Sequence, residues 1–270
     1  MNPVTIETRA DQTPHHADGY RSTHPEKRRG VFQRTPTAPA VLRSHPSGHS
    51  HRDSAPTSLR RALPVFLGHA SPRLLVALVS VLVPLRLWWG EWSAWDVVPV
   101  CATLALWPIL EWLIHVFILH FKPLNVWGYT IDPRVPRKHR AHHRDPWNYE
   151  ILFIPFQSFT YSLPITAILW WVATPTVALA LTRLTVHTAL ALHYEWIHFL
   201  VHTRVSPRSR YYQRIWKNHR LHHFKNERYW YGVTRLEGDW VLHTAPAANA
   251  VPLSPTARTL LADSGGDLRA

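Results

Sequence analysis

Residues 95–120 read WDVVPVCATLALWPILEWLIHVFILH, a long apolar run that ends in two imidazoles, His115 and His120. A helix needs about 20 apolar residues to cross the hydrocarbon core of a bilayer, so this stretch is predicted to span a membrane. Three other stretches have similar length and character: RLLVALVSVLVPLRLWW (73–89), ILFIPFQSFTYSLPITAILWWV (151–172) and TVALALTRLTVHTALALHYEWIHFLVH (176–202). The last also ends in a histidine pair, His198 and His202. The expected fold is an all-α integral membrane protein of four transmembrane helices. The alternative of a buried soluble bundle fits poorly with four such lengths and with Trp at their ends.

Composition agrees. A mean hydropathy of −0.16 looks soluble, but it averages a polar tail with very apolar segments. The net charge of +13 allows nucleic acid or an anionic membrane as partner, and the 14 Trp favour the membrane interface. A single cysteine, Cys101, excludes a disulfide framework and a cysteine-based zinc site. Residues 1–58 are rich in Pro, Ser, Thr, His and Arg and have no apolar period, so a disordered tail is expected, with no secretory signal. That tail holds His15, His16, His24, His45, His49 and His51, so richness in histidine alone does not mark a site. A short interfacial LRRALPVFLGHA (59–70) opens the membrane domain, expected over 59–245, and 246–270 is expected to be a flexible C-terminal tail.

Lys and Arg set the orientation. Lys122, Arg134, Arg137, Lys138, Arg140 and Arg144 follow the second span, and a basic region from Arg204 to Arg235 follows the fourth, whereas the links GEWSA and ATP carry none. The positive-inside rule then places both basic regions and both termini in the cytoplasm. Much of the charge is accounted for by topology, and no nucleic-acid partner is expected.

With the tail set aside, ten histidines fall at one end of the bundle or just beyond it: His115, His120, His139, His142, His143, His198, His202, His219, His222 and His223. The triplets in KHRAHH (138–143) and HRLHH (219–223) place positions i, i+3 and i+4 on one helical face. His115 and His120 are five apart, roughly 140° round an ideal helix, so a bulged turn is expected there. Ten imidazoles suit two metal ions with open positions, held in a cytoplasmic His-rich helical cap. Neutral ligands do not balance the charge of two divalent ions, so Glu111, Glu195 and Asp239 are expected to accept N–H bonds from the ligands. His187 and His193 show no partner pattern.

In order along the chain, HVFILH, HRAHH, HFLVH and HRLHH match H-x4-H, H-x2-H-H, H-x3-H and H-x2-H-H. Over about residues 95–245 the chain therefore resembles the membrane fatty acid hydroxylase/sterol desaturase superfamily of non-haem diiron oxygenases. The link of 18 residues between His120 and His139 and the segment HFKNERYWYGVT look most like the fatty acid 2-hydroxylase branch. The fused cytochrome b5 domain of some of those enzymes is not expected here. The resemblance implies an oxidoreductase of lipid metabolism with two Fe ions and O2 as co-substrate, which hydroxylates an aliphatic C–H bond, a fatty acyl chain foremost. Zinc competes for such imidazole sites and is expected to occupy them in purified samples.

Alternatives within the superfamily are a sterol or other lipid desaturase and a carotenoid hydroxylase. The alternative of another class is a non-catalytic membrane metal-binding protein. Expected partners are the lipid substrate, the membrane, and an external cytochrome b5-, ferredoxin- or reductase-like electron donor docking near Arg208–Lys217. Trp107, Trp112 and Phe117 are candidates to line the acyl cavity. Tyr229, Trp230 and Tyr231 are candidates for the membrane interface or the substrate mouth.

Overall fold

The structure, a computed structural model, describes residues 49–260. Most of the expected tail, residues 1–48, and the last ten residues lie outside the described residues, so the tail expectations are not addressed there. In chain order the helices begin with α1 (His49–Asp53), α2 (Leu59–Leu67), α3 (Ala70–Trp89) and α4 (Val97–Leu113). After α4 the chain widens into a π-turn segment, Ile114–Leu119, and a two-stranded hairpin follows, β1 (Leu124–Val126) and β2 (Tyr129–Ile131). Then come α5 (Arg134–Arg144), α6 (Tyr149–Leu152), α7 (Phe159–Val172), α8 (Val177–Val201), α9 (Arg210–Phe224) and α10 (Glu237–Val241).

Helix α8 is the central column, with α3 along one side and α4 and α7 also packed on it. The short link Ala173–Thr176 makes α7 and α8 antiparallel neighbours, whereas α3 and α4, joined through Gly90–Asp96, each pack on α8. Among the described residues, three helical segments are long and apolar enough to cross a membrane: Ala70–Trp89, Ala94–Leu119 and Tyr149–Val172. Their outward faces leave Val81, Leu87, Leu106, Ile165, Ile168 and Trp171 exposed, an apolar belt that fits lipid rather than water. The fourth expected span forms the full length of α8 but carries Arg183, His187, His193 and Glu195, and is not among the three.

The apolar core sits at the histidine end. Phe66 of α2, Phe153, and Trp196 and Phe199 of α8 meet with ring centroids 5.0–6.0 Å apart, and Ile215 of α9 closes the cluster. Phe199 is fully buried; truncating a phenylalanine so placed costs about 3–5 kcal/mol. Trp127 and Gly128, both at positive φ (49° and 82°), make the two-residue turn of the hairpin.

Residues 49–58 and 246–260, which the sequence assigned to the tails, make defined contacts with the rest of the described chain. The Pro56 carbonyl accepts from Arg204 N at 2.9 Å, and His51 Nδ1 lies 3.0 Å from Asp145 Oδ2. At the other end Val251, Ala257 and Leu260 are buried, and Ser254 N donates to the Lys225 carbonyl at 2.7 Å. A few apolar anchors with backbone hydrogen bonds order 246–260, which has no apolar period of its own.

Candidate metal centre

The first histidine pair shows how the local fold builds the site. In the π-turn His120 N donates to the His115 carbonyl at 3.0 Å, an i to i+5 bond that carries one extra residue round the turn. The two rings, which an α-helix would splay apart, are thereby brought to a centroid separation of 4.9 Å. The expected bulged turn is present.

All ten singled-out histidines come together in two groups of five. His115, His120, His139, His143 and His222 form one; His142, His198, His202, His219 and His223 form the other. In each group the candidate ligand atoms lie within 4.8 Å of one another. The pair at the π-turn and the pair at the end of α8 each stay in one group, but each triplet divides. In α5, His139 and His143 face the first group and His142 the second; in α9, His219 and His223 face the second and His222 the first. The groups are adjacent, the His143 and His223 rings being stacked at 4.0 Å.

The tautomers suit metal binding. The Nδ1–H of His115 donates to the Tyr231 carbonyl (2.6 Å), that of His222 to the Tyr229 carbonyl (2.8 Å) and that of His143 to the Ala257 carbonyl (2.9 Å). A proton on Nδ1 leaves the Nε2 lone pair free. Burial holds His139, His142, His202, His219, His222 and His223 well below the usual imidazole range, and neighbouring imidazoles add to the effect. Burial takes His143 down to about 3 against the opposing pull of the Ala257 carbonyl. These rings are therefore neutral, the form a metal requires.

The residues fit two ions. His115 Nε2, His198 Nε2, His219 Nδ1 and both nitrogens of His142 and His223 are buried without a hydrogen-bond partner. Each such atom costs about 1–3 kcal/mol if left unsatisfied. Nε2 pairs stand 3.1 Å apart at His120/His222, 3.2 Å at His139/His143 and 3.0 Å at His202/His219. Neighbouring nitrogen ligands about 2.1 Å from one ion have similar separations.

The three carboxylates do not take the expected part. Glu111 accepts from Val233 N, from Thr234 N (2.7 Å) and from Thr234 Oγ1 (2.5 Å). Asp239 accepts from Tyr231 N (2.9 Å), Gly232 N (2.7 Å), Asn218 Nδ2 (3.2 Å) and Thr244 Oγ1 (2.6 Å). Glu195 accepts from Ser71 Oγ (2.5 Å) and Ile154 N (3.0 Å). Backbone carbonyls, not carboxylates, take the three imidazole N–H bonds resolved above. The carboxylates act one step back: Glu111 and Asp239 clamp the loop 231–234, whose Tyr231 carbonyl holds His115. Gly232 belongs to this clamp, because a Cβ there would collide with the Arg235 carbonyl.

The expected cavity residues separate. A cavity of about 50 Å³ touches both groups through His139 and His198 and is walled by Leu119, Val135, Ile154 and Tyr194, with Lys138 and Glu195 at its polar side. Trp107 lines a different cavity, of about 240 Å³, with Leu104, Leu190, His193 and Tyr211. Trp112 instead donates from Nε1 to Thr244 Oγ1 at 2.9 Å, and Phe117 is 63% exposed. Of the aromatic run after the last triplet, Trp230 is buried, and the Tyr231 ring lies 5.3–5.5 Å from His115, His120 and His222. The carbonyl partners at 229, 231 and 257 escaped the sequence reading; the turn glycine Gly232 was the one local sign of that loop.

A family model described as fatty acid hydroxylase matches residues 100–244. The dihydroceramide fatty acyl 2-hydroxylases FAH1 and FAH2 of Arabidopsis thaliana are 26% identical over 57% and 53% of the chain. The matches cover 64% and 59% of their own lengths, so the chain spans about three fifths of these relatives. A beta-carotene hydroxylase of Paracoccus sp. (strain N81106 / MBIC 01143) is 27% identical over 46% of the chain and 72% of its own length. The hydroxylase domain visible in a structure of full-length scs7p superposes with a TM-score of 0.56 over 68% of each chain, at 21% identity, a likeness of fold.

Proposed function

The chain belongs to the fatty acid hydroxylase family, and from that premise we propose that it is a membrane oxidoreductase that hydroxylates an aliphatic C–H bond of a lipid with O2. The observation that carries this reading is the gathering of ten histidines into two adjacent groups of five. The proposed ligands are His115, His120, His139, His143 and His222 for one ion, and His142, His198, His202, His219 and His223 for the other. Two iron ions held there would supply the redox chemistry that activates O2 and breaks the C–H bond.

The protein's own part is positioning and exclusion. The Tyr229, Tyr231 and Ala257 carbonyls fix three ring orientations, and Glu111 and Asp239 keep the loop that bears Tyr231 in place. The cavity at His139 and His198 has room for a small molecule or a short run of methylenes beside both groups. In this reading α8 is the fourth span, despite its polar residues, and the histidine face lies in the cytoplasm with the basic regions.

A fatty acyl chain is the substrate we favour, as in the names of the plant relatives. The Paracoccus relative makes a carotenoid the second reading. Lipid mass spectrometry of cells expressing the chain or its His222→Ala variant tests both. One lipid class should gain a single oxygen atom with the wild type and none with the variant. Equal lipid profiles would leave a non-catalytic metal-binding protein.

A further inference from the structure

On the outer face of the histidine groups, arginines are stacked on aromatic rings that in turn touch histidines. Arg52 and Arg220 both lie over the Trp147 ring, with guanidinium carbons 5.5 and 5.7 Å from its centroid. Arg220 also lies over Trp216 (4.6 Å) and Phe224 (5.2 Å), and Arg258 covers Phe224 at 5.6 Å. Beneath them the Trp147 ring is 6.4 Å from His202, and Phe224 is 6.1 Å from His223. Both histidines belong to the second group.

Arg52, Arg144, Lys217 and Arg258 are exposed around this spot, and Asp145, an acidic neighbour, is engaged by His51. Arg258 is held in place by the His143 and Arg144 carbonyls, at 3.2 and 2.9 Å. The patch is thus cationic and separated from the candidate metal ligands by a single aromatic ring. It takes in the end of the Arg208–Lys217 stretch suggested by the sequence and continues along α9 to Phe224.

We propose that the Arg52–Arg220–Arg258 patch is the docking surface for a small acidic one-electron carrier protein, with Trp147 as the relay from carrier to His202. This rests on the hydroxylase reading, which requires such a partner. Converting R–H and O2 to R–OH and H2O consumes two electrons and two protons. Two reduced carriers bind in turn, and each leaves oxidised by one electron. Opposite charge across the contact would set the encounter rate and make it salt-sensitive.

The test uses the full chain, loaded with ferrous iron in phosphatidylcholine vesicles, and two reductants: a reduced ferredoxin of net negative charge, and dithionite. Arg52→Glu/Arg258→Glu should raise KM for the ferredoxin about tenfold at low salt, with metal content and dithionite-driven turnover unchanged. Trp147→Leu should lower kcat with ferredoxin more than fivefold at unchanged KM, and Trp147→Phe should recover part of it. A charge reversal that leaves the ferredoxin KM unchanged, or that slows both reductants equally, overturns the proposal. No product from the wild type with either reductant removes the hydroxylase reading, and the docking surface with it.

Discussion

The molecule buries two polar constellations at opposite ends of the same helices, and they differ in how completely their hydrogen bonds are met. At the far end, Arg86 donates from Nε to Thr182 Oγ1, from Nη1 to the Gly90 carbonyl and from Nη2 to Asp96 Oδ1, each at 2.6 Å. Its guanidinium also stacks 3.6 Å from the Trp92 ring. At the near end, nitrogens of His115, His142, His198, His219 and His223 are buried with no partner. A polar cluster that satisfies itself braces a fold; one that leaves its lone pairs open is arranged for something else. Both interrupt apolar helices, so composition alone does not tell them apart.

The sharpest way to break this contrast is at the open cluster. His222→Ala should abolish lipid oxidation to background and remove metal from the first group, read by product analysis and metal content. Retained activity would mean that the first group does not serve a metal needed for the reaction. Next come the residues one step behind. Asp239→Asn and Glu111→Gln keep size but weaken the loop that holds Tyr231, and we expect metal affinity to fall about 10–100-fold, measured by competition with a chelator.

The closed cluster should answer differently. Arg86→Met leaves Asp96 buried and unpaired, a loss of about 3–5 kcal/mol for a pair of this kind, visible as a lower Tm. Metal content and turnover per folded molecule should stay as in the wild type, and Arg86→Met/Asp96→Leu should regain much of the Tm.

The last prediction concerns pH. Rings such as His143, driven down to about 3 by burial, stay neutral in the folded chain, while the unfolded chain takes up protons below about 6.5. The stabilisation is therefore complete above pH 6.5 and declines as pH falls toward 3. The Tm of metal-free protein should be level above pH 6.5 and drop below it, with the same slope in Arg86→Met.

The three most apolar segments and all ten histidines could be read directly, because length and spacing are properties of the chain itself. The π-turn followed from angle arithmetic on His115 and His120. The division of each triplet did not, since i, i+3 and i+4 share one face and only the placement of α5 against α9 separates His142 from His143. Nor did the carbonyl partners, because every residue has a carbonyl and its direction is set by the tertiary fold. The expectation gave Glu111, Glu195 and Asp239 imidazole N–H partners, whereas each accepts from a backbone N–H. Residues 246–260 looked like a tail because Val251, Ala257 and Leu260 are single anchors among Pro, Ala and Ser.

The central claim is that the two groups of five hold two separate ions. Anomalous diffraction at the iron edge, from crystals of iron-loaded protein, tests it most directly. The account predicts two peaks, one among His115, His120, His139, His143 and His222 and one among His142, His198, His202, His219 and His223. A single peak, or peaks away from these rings, would contradict it.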